Sequence, residues 1–390
     1  MNLRLFLALT AMSFLWVGSQ IPLYLFGSVL PDIYTDIGGV GRYQWMVIGY
    51  LIPSAALCPF VGALSDMFGR RVVAAVGQIL LIIGPVVTST ANTMNVAIGG
   101  QVLSGLGAGL NELIALAGTA EMVPVAKRGT YVGAVVFTIL PFCPSVLWAQ
   151  LIHQASNWRY VGALVGAWNF VGLVLCVVCY KDPVRDANMI RSKREILREI
   201  DYIGGILSTG GVTCFMLGMQ WGASQVSSAD SAFSQSPRQI PLTTSQYPWS
   251  SIHVLVPFVI GIMLIINFFV YEACIAKYPM VPAAIFAKAP RTMIFILLIT
   301  FFSGGNFFVL LLFWPTQVYN MYGNDPVGIG LRALPIGFGI IIGAVIALVM
   351  IPITKGRTTW IMIFSCLLMT AGKSRVFICL GYLSLITRLS

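Results

Sequence analysis

Of the 390 residues, 58% are hydrophobic and only 9% are charged, and the mean hydropathy is +0.88. Soluble domains carry roughly 25% charged residues, so this chain has too little polar surface to solvate a globule, and most of its side-chain surface is expected to face lipid. The formal net charge of +10 does not point to nucleic acid, because the basic residues sit in short loops between apolar runs, where a membrane protein needs them.

A spanning helix needs about 20 mainly apolar residues. The first run, Leu5 to Leu30, carries no charged side chain. Arg4 ahead of it imitates the start of a signal peptide, but the run is too long for one and no A-x-A site interrupts it. It reads as the first transmembrane helix. Met1 lies almost at its edge, so no soluble N-terminal domain is expected. Further runs cover Trp45 to Leu64, Val72 to Ala91, Met94 to Ala120, Tyr131 to Ile152 and Tyr160 to Tyr180. After a charged break come Tyr202 to Trp221, Ile252 to Tyr271, Thr292 to Trp314 and Ala333 to Ile353, which makes ten spans. An eleventh candidate starts at Trp360 and meets Gly372, Lys373, Ser374 and Arg375 after about a dozen residues.

The basic residues set the orientation. With the N-terminus in the cytoplasm, the inside loops hold Arg70, Arg71, Lys127, Arg128, Lys181, Arg185, Arg191, Lys193, Arg194, Arg198, Lys277, Lys288, Arg291, Lys355 and Arg357. The outside loops then hold only Arg42, Arg159, Arg238 and Arg332. Lys181 to Asp201 is charged with helical spacing and reads as a cytoplasmic linker or surface helix. Gly222 to Ser250, rich in Ser, Gln, Thr and Pro, reads as an extracellular loop without fixed structure.

The eight cysteines form no framework. Cys58, Cys143, Cys176, Cys179, Cys214 and Cys274 all fall in apolar runs. The C-x-x-C of Cys176 and Cys179 lacks the second pair or soluble context of a redox or zinc motif, so these read as small apolar helix residues. His153 and His253 lie near helix ends with no second ligand at metal spacing. No metal, no cofactor and no enzymatic cluster of His, Asp or Glu is legible, so an enzyme is not expected.

The sharpest motif is Gly62-Ala-Leu-Ser-Asp66-Met-Phe-Gly69-Arg70-Arg71, between the second and third spans. Gly62 would let a helix end approach a neighbour, Gly69 would allow a tight turn, and Asp66 can accept charge-assisted hydrogen bonds. Read blandly it is a short basic loop with a capping Asp. In full it resembles the loop signature of the major facilitator superfamily, G-x-L-[SA]-D-x-x-G-R-[RK]. The resemblance implies that this loop latches one state of an alternating-access carrier. In the fourth span, Gly105 and Gly109 stand at the small-x-x-x-small spacing of close helix packing. Glu112, in the same span, is costly there and should face a cavity or a partner. Burial disfavours its charged form, which suits a group that trades a proton with a gradient ahead of the alternative, a structurally paired carboxylate near the inner end.

The resemblance narrows over several stretches: Asn111-Glu-Leu; Glu121 to Tyr131; Pro141-Phe-Cys-Pro144 through Trp148-Ala-Gln150; and Trp158-Arg159-Tyr160. With Trp45, Tyr247-Pro-Trp249 and Trp314-Pro-Thr-Gln317, these look like the fungal trichothecene efflux pump family, close to the siderophore–iron transporters, both fourteen-helix types. Departures stand beside it. Gln101 replaces an arginine of the general signature, the antiporter glycines of the fifth helix are absent, and the first helix offers Gln20 and Tyr24 in place of an Asp. Gly372-Lys373-Ser374 matches the end of a phosphate loop without its first Gly or a preceding strand.

The resemblance implies an all-α integral membrane protein of the major facilitator fold. A complete six-helix unit would occupy 1–180, a cytoplasmic linker 181–200, two central helices 201–276 with an extracellular loop at 222–250, and a partial C-terminal unit 291–390. About four further helices would follow in that family, so the chain reads as C-terminally truncated and as inactive by itself. The function implied is proton-coupled transport of a small organic molecule, with efflux of a toxin or drug-like compound ahead of siderophore–iron uptake by symport. A non-transporting remnant or a receptor is the alternative of another class. Gln20, Tyr24, Asn111, Glu112, Trp148 and Gln150 are the expected lining of the central path. The partners implied are the lipid bilayer, protons and the substrate. A monomer in the plasma membrane is expected, with a vacuolar or vesicular membrane as the alternative.

Overall fold

The computed structural model describes residues 3–181, 201–223, 250–276, 290–322, 326–353 and 362–368, and every regular element among them is helical. In chain order the helices are α1 (Leu3–Ser28), α2 (Leu30–Ile37), α3 (Gln44–Phe68), α4 (Arg70–Ser89), α5 (Met94–Met122), α6 (Arg128–Phe137), α7 (Ser145–Ala155), α8 (Tyr160–Cys179), α9 (Tyr202–Ala223), α10 (Ile252–Cys274), α11 (Pro290–Tyr322) and α12 (Pro326–Ile353). Eight helices among the described residues are long and apolar enough to cross a membrane, counting α6 and α7 as one passage. The ninth and tenth expected spans fall on α11 and α12. Of the eleventh candidate only 362–368 is described, as helix. The expected linker and the expected extracellular loop lie almost wholly outside the described residues.

Helix ends follow local chemistry. Pro31 stands in the first turn of α2, where its missing N–H costs nothing. Gly69, at φ +89°, turns the chain between α3 and α4 while its N–H caps Ser65 O. This is a backbone region that residues with a Cβ rarely enter.

The fifth span departs from the continuous helix expected over Tyr131 to Ile152. It breaks into α6, a 3-10 turn at Leu140–Phe142, and α7. Pro141 and Pro144 supply no N–H to the helical ladder, and the indole Nε1 of Trp148 donates to Pro141 O at 2.9 Å across the break.

Hydropathy runs inside out relative to a soluble bundle. On α4 the exposed stripe is Val72, Val76, Ile79, Ile83 and Val86, while the buried face carries Ala74, Gly77, Gln78, Gly84 and Thr88. Lipid rewards the first face, and close packing with interhelical hydrogen bonding favours the second. The helices pack as α4 on α5 and α8, α3 on α5, and α1 on α5, α7 and α8, with α9 against α10 and α3. Val17, Ile21, Phe26, Met46 and Trp158 form the core toward one end, and Met12, Leu15, Ile114, Cys176 and Tyr180 toward the other. The chain divides into two units, Met1–Leu334 and Pro335–Ser390. Everything below lies in the first.

Candidate functional site

Two faces of α5 do different things, since Gly105, Gly109 and Glu112 share one stripe and Asn111 stands off it. Gly105 and Gly109 meet α3 so closely that an added Cβ would lie 2.2 Å from Tyr50 O and 2.6 Å from Ser54 O. Asn111 is fully buried against α4. With its amide oriented so that donors meet acceptors, it donates to Ala74 O and accepts from Gln78 N, both at 3.0 Å. Glu112, one residue and about 100° further round, is half-buried and faces α1. There the Gln20 side chain lies within interaction range of its carboxylate, and the Tyr24 hydroxyl, one turn on, donates to Gln20 Oε1 at 3.0 Å. Tyr50 of α3 donates to Ser19 O. The Glu112 carboxylate lies within electrostatic reach of Tyr24, Tyr50 and Cys58, and Tyr24 within reach of Cys143.

The structure therefore gathers Glu112, Gln20 and Tyr24, with Tyr50, Cys58 and Cys143 around them. It does not bring the other three expected lining residues there. Asn111 ties α5 to α4. Trp148 is 44% exposed at the break in the fifth span, and Gln150 is buried at a helix junction described below. Sequence reasoning had no signal for Tyr50 in this group. It took Cys58 and Cys143 for packing residues, since a thiol in an apolar run looks like any small side chain.

At one end of the bundle lies the segment Gly62 to Arg71, expected as a loop, which is helical except at Gly69: Gly62–Phe68 ends α3 and Arg70 begins α4. Arg70 and Arg71 open α4, where the positive end of the helix dipole disfavours cations, so each needs an outside acceptor. Arg70 forms an ion pair with Glu121 at the end of α5, and Arg71 donates to Val177 O near the end of α8. The segment thereby clasps three helix ends. Asp66 sits on the last turn of α3. At Gly62 an added Cβ meets nothing within 4 Å, so the close approach expected there occurs instead at Gly105 and Gly109. Glu121 was not legible as the Arg70 partner, because the two stand 51 residues apart.

At the opposite end α2 is pinned twice. Asp32, 5% exposed, accepts from Gln150 Nε2 at 3.4 Å and lies 3.5 Å from His153 Nε2, both on α7. Gln150 Nε2 also donates to Ser28 O at 3.0 Å. Burial pushes the Asp32 carboxyl above its usual range, against the pull of His153 and Gln150. One turn on, Asp36 accepts from Trp158 Nε1 at 3.0 Å and pairs with Arg159, which also donates to Ala91 O at 3.1 Å and lies over the Trp158 ring. The Arg159 hydrogen bond, then that of Trp158, holds the Asp36 carboxyl below the usual carboxylate range. Neither aspartate was singled out from the sequence. The only available hint was an acidic residue just past the first apolar run.

A bundle with apolar outer faces and a half-buried carboxylate held between its helices is a polytopic membrane protein with a polar centre. The family description Major Facilitator Superfamily matches residues 6–386, and the chain belongs to that superfamily. It is 26% identical to the MFS-type transporter ucsD of an Acremonium species, over 86% of this chain and 53% of that protein. It is 25% identical to the efflux pump FUS6 of Gibberella fujikuroi, over 80% and 50%, and 25% identical to the MFS-type efflux pump LUC4 of a Fusarium species, over 91% and 58%. The chain thus spans about half the length of the curated relatives it matches. Among solved structures, the inward-open xylose transporter XylE from E. coli superposes with a TM-score of 0.44 at 14% identity, covering 86% of this chain and 95% of that one.

Proposed function

We propose that the chain belongs to a carrier that moves a small organic molecule out of a fungal cell by alternating access, driven by protons, with Glu112 as the group that exchanges the proton. The observation that carries this reading is the position of Glu112 on α5, half-buried and facing Gln20 of α1, whose Oε1 accepts from Tyr24, in the interior of a spanning bundle. An intramembrane carboxylate is costly and by default marks an ion or substrate path. The names of the fungal relatives support efflux over uptake. In this reading the N-terminus is cytoplasmic, the Arg70 end faces the cytoplasm and the Asp36 end faces outward, and the protein works as a monomer in the plasma membrane.

The test is transport in proteoliposomes by the 390-residue chain and by the same chain continued with the remaining helices of a fungal relative. A pH gradient should drive an apolar toxin, and Glu112→Gln should abolish that transport. Uptake of a ferric siderophore in place of the toxin would establish the symport alternative. Gradient-driven transport unchanged by Glu112→Gln would reassign that residue to a structural role.

A further inference from the structure

We propose that Gln78 of α4 and Asn169 of α8 share one internal water molecule, held against the bare side of α1 at Gly18. Both side chains are 0% exposed. Among the described residues, Gln78 Nε2, Gln78 Oε1 and Asn169 Oδ1 have no hydrogen-bond partner. Asn169 Nδ2 is used within its own helix, donating to Val165 O at 2.9 Å. The unpaired atoms converge on one place. A Cβ added at Gly18 would lie 2.3 Å from Asn169 Oδ1 and 3.6 Å from Gln78 Nε2, and one added at Gly172 of α8 would lie 3.2 Å from Gln78 Nε2. Glycine at both positions is what lets two amides meet there. The surround is apolar and closed. Phe14 stacks on Trp168 with ring centroids 4.3 Å apart, Trp168 Nε1 donates to Phe14 O at 3.3 Å, and Phe14 Cβ lies 3.4 Å from a Cβ added at Gly172.

The chemistry of these atoms selects the ligand. A metal ion would face the Gln78 N–H groups, and an anion would face Asn169 Oδ1. Water accepts from the first and donates to the second, and with the Gln78 amide turned over it donates to both oxygens. Two polar partners in a buried polar site are enough to hold it, and a bridging water spans amides that do not bond directly. The bridge has a consequence for α1. Gln78 N–H already meets Asn111 of α5, so the water extends that link from α5 and α4 to α8. Gly18 and Gln20 stand about 200° apart around α1. The side of α1 laid against the two amides is therefore opposite the side that presents Gln20 to Glu112, and the bridge sets the rotation of α1. Water binding itself does not depend on the transport reading above.

Asn169 is the one asparagine that follows a tryptophan in the sequence. The full chain is prepared in lipid bilayers with tryptophan labelled at its 13C carbonyl and asparagine with 13C and 15N, so that solid-state NMR assigns Asn169 without any substitution. The expected result is a through-space cross-peak from water protons to Asn169 Cγ, and its loss in Gly18→Ala, whose methyl would stand at the bridge. Cross-peaks from the Gln78 amide protons in place of water would reveal a direct amide pair and overturn the proposal. So would an Asn169 Cγ with no water cross-peak. Both outcomes are read in the wild-type chain, whether or not Gly18→Ala folds. A water cross-peak unchanged in folded Gly18→Ala overturns the placement against α1. Because no transport is measured, the result is independent of whether Glu112 couples protons.

Discussion

Glu112 and Asn111 are neighbours in sequence and strangers in space. Both are polar residues in an apolar span, and from the sequence both belong to the transport path. The roughly 100° step between them sends Asn111 into the α4 backbone and Glu112 toward Gln20 and Tyr24. Asn111→Leu is therefore expected to lower the melting temperature in detergent, by removing the interhelical hydrogen bonds to Ala74 O and Gln78 N and pressing a branched side chain against Gly77, whereas Glu112→Gln is expected to leave melting nearly unchanged and to stop proton-driven transport. A transport assay beside a melting curve separates the two. Arg70 and Glu121 give a smaller effect. Arg70 is 12% and Glu121 41% exposed, and a pair with one partner open to solvent contributes about 1 kcal/mol. A double-mutant cycle with Arg70→Ala and Glu121→Ala should return a coupling of that size.

At the scale of elements, helix spacing decides tolerance. A side chain at Gly105 would collide with the α3 backbone at Tyr50 O, and overpacking costs about 1–3 kcal/mol even where side chains can move. Gly105→Leu should thus melt early or fail to fold. Gly62→Ala, with open space around it, should keep or raise the melting temperature, since alanine favours helix by up to ~1 kcal/mol. The short helix α2 gives a pH signature. The Asp36 carboxyl lies below its ordinary value in the folded chain, so the folded state binds fewer protons there than the unfolded one. The stabilisation by Arg159 and Trp158 is fully present above about pH 4, the ordinary carboxylate range, and is lost as pH falls through the lowered value. Asp36→Asn should lower the melting temperature by a constant amount from pH 5 to 8, with the difference shrinking in acid. Asp32 carries the opposite sign. Its carboxyl is raised, so its contribution to stability declines as pH rises from the ordinary carboxylate value through the raised one.

For the whole molecule, the proposed orientation makes a direct statement about its two sides. In a cysteine-free background, an impermeant maleimide applied to intact cells should label Ser234→Cys and leave Ser192→Cys untouched; the reverse pattern would invert the topology. The membrane class and the helical fold were legible in the sequence, because lipid imposes them through composition and run length, which are local properties of the chain; the superfamily was legible only through the resemblance of Gly62 to Arg71 to its loop signature. The break in the fifth span was also written there, in Pro141 and Pro144, and was read as a continuous helix because apolar length outweighed the missing N–H groups. What the tertiary structure decided was partnership. Arg70 with Glu121, Asp36 with Arg159 across 123 residues, and Gln150 with Ser28 and Asp32 all depend on which helix faces meet. Spans as uniformly apolar as α10 carry almost no mark of their rotation, so the sequence alone determined that the helices cross a membrane, and only close packing between them determined which polar residue faces which.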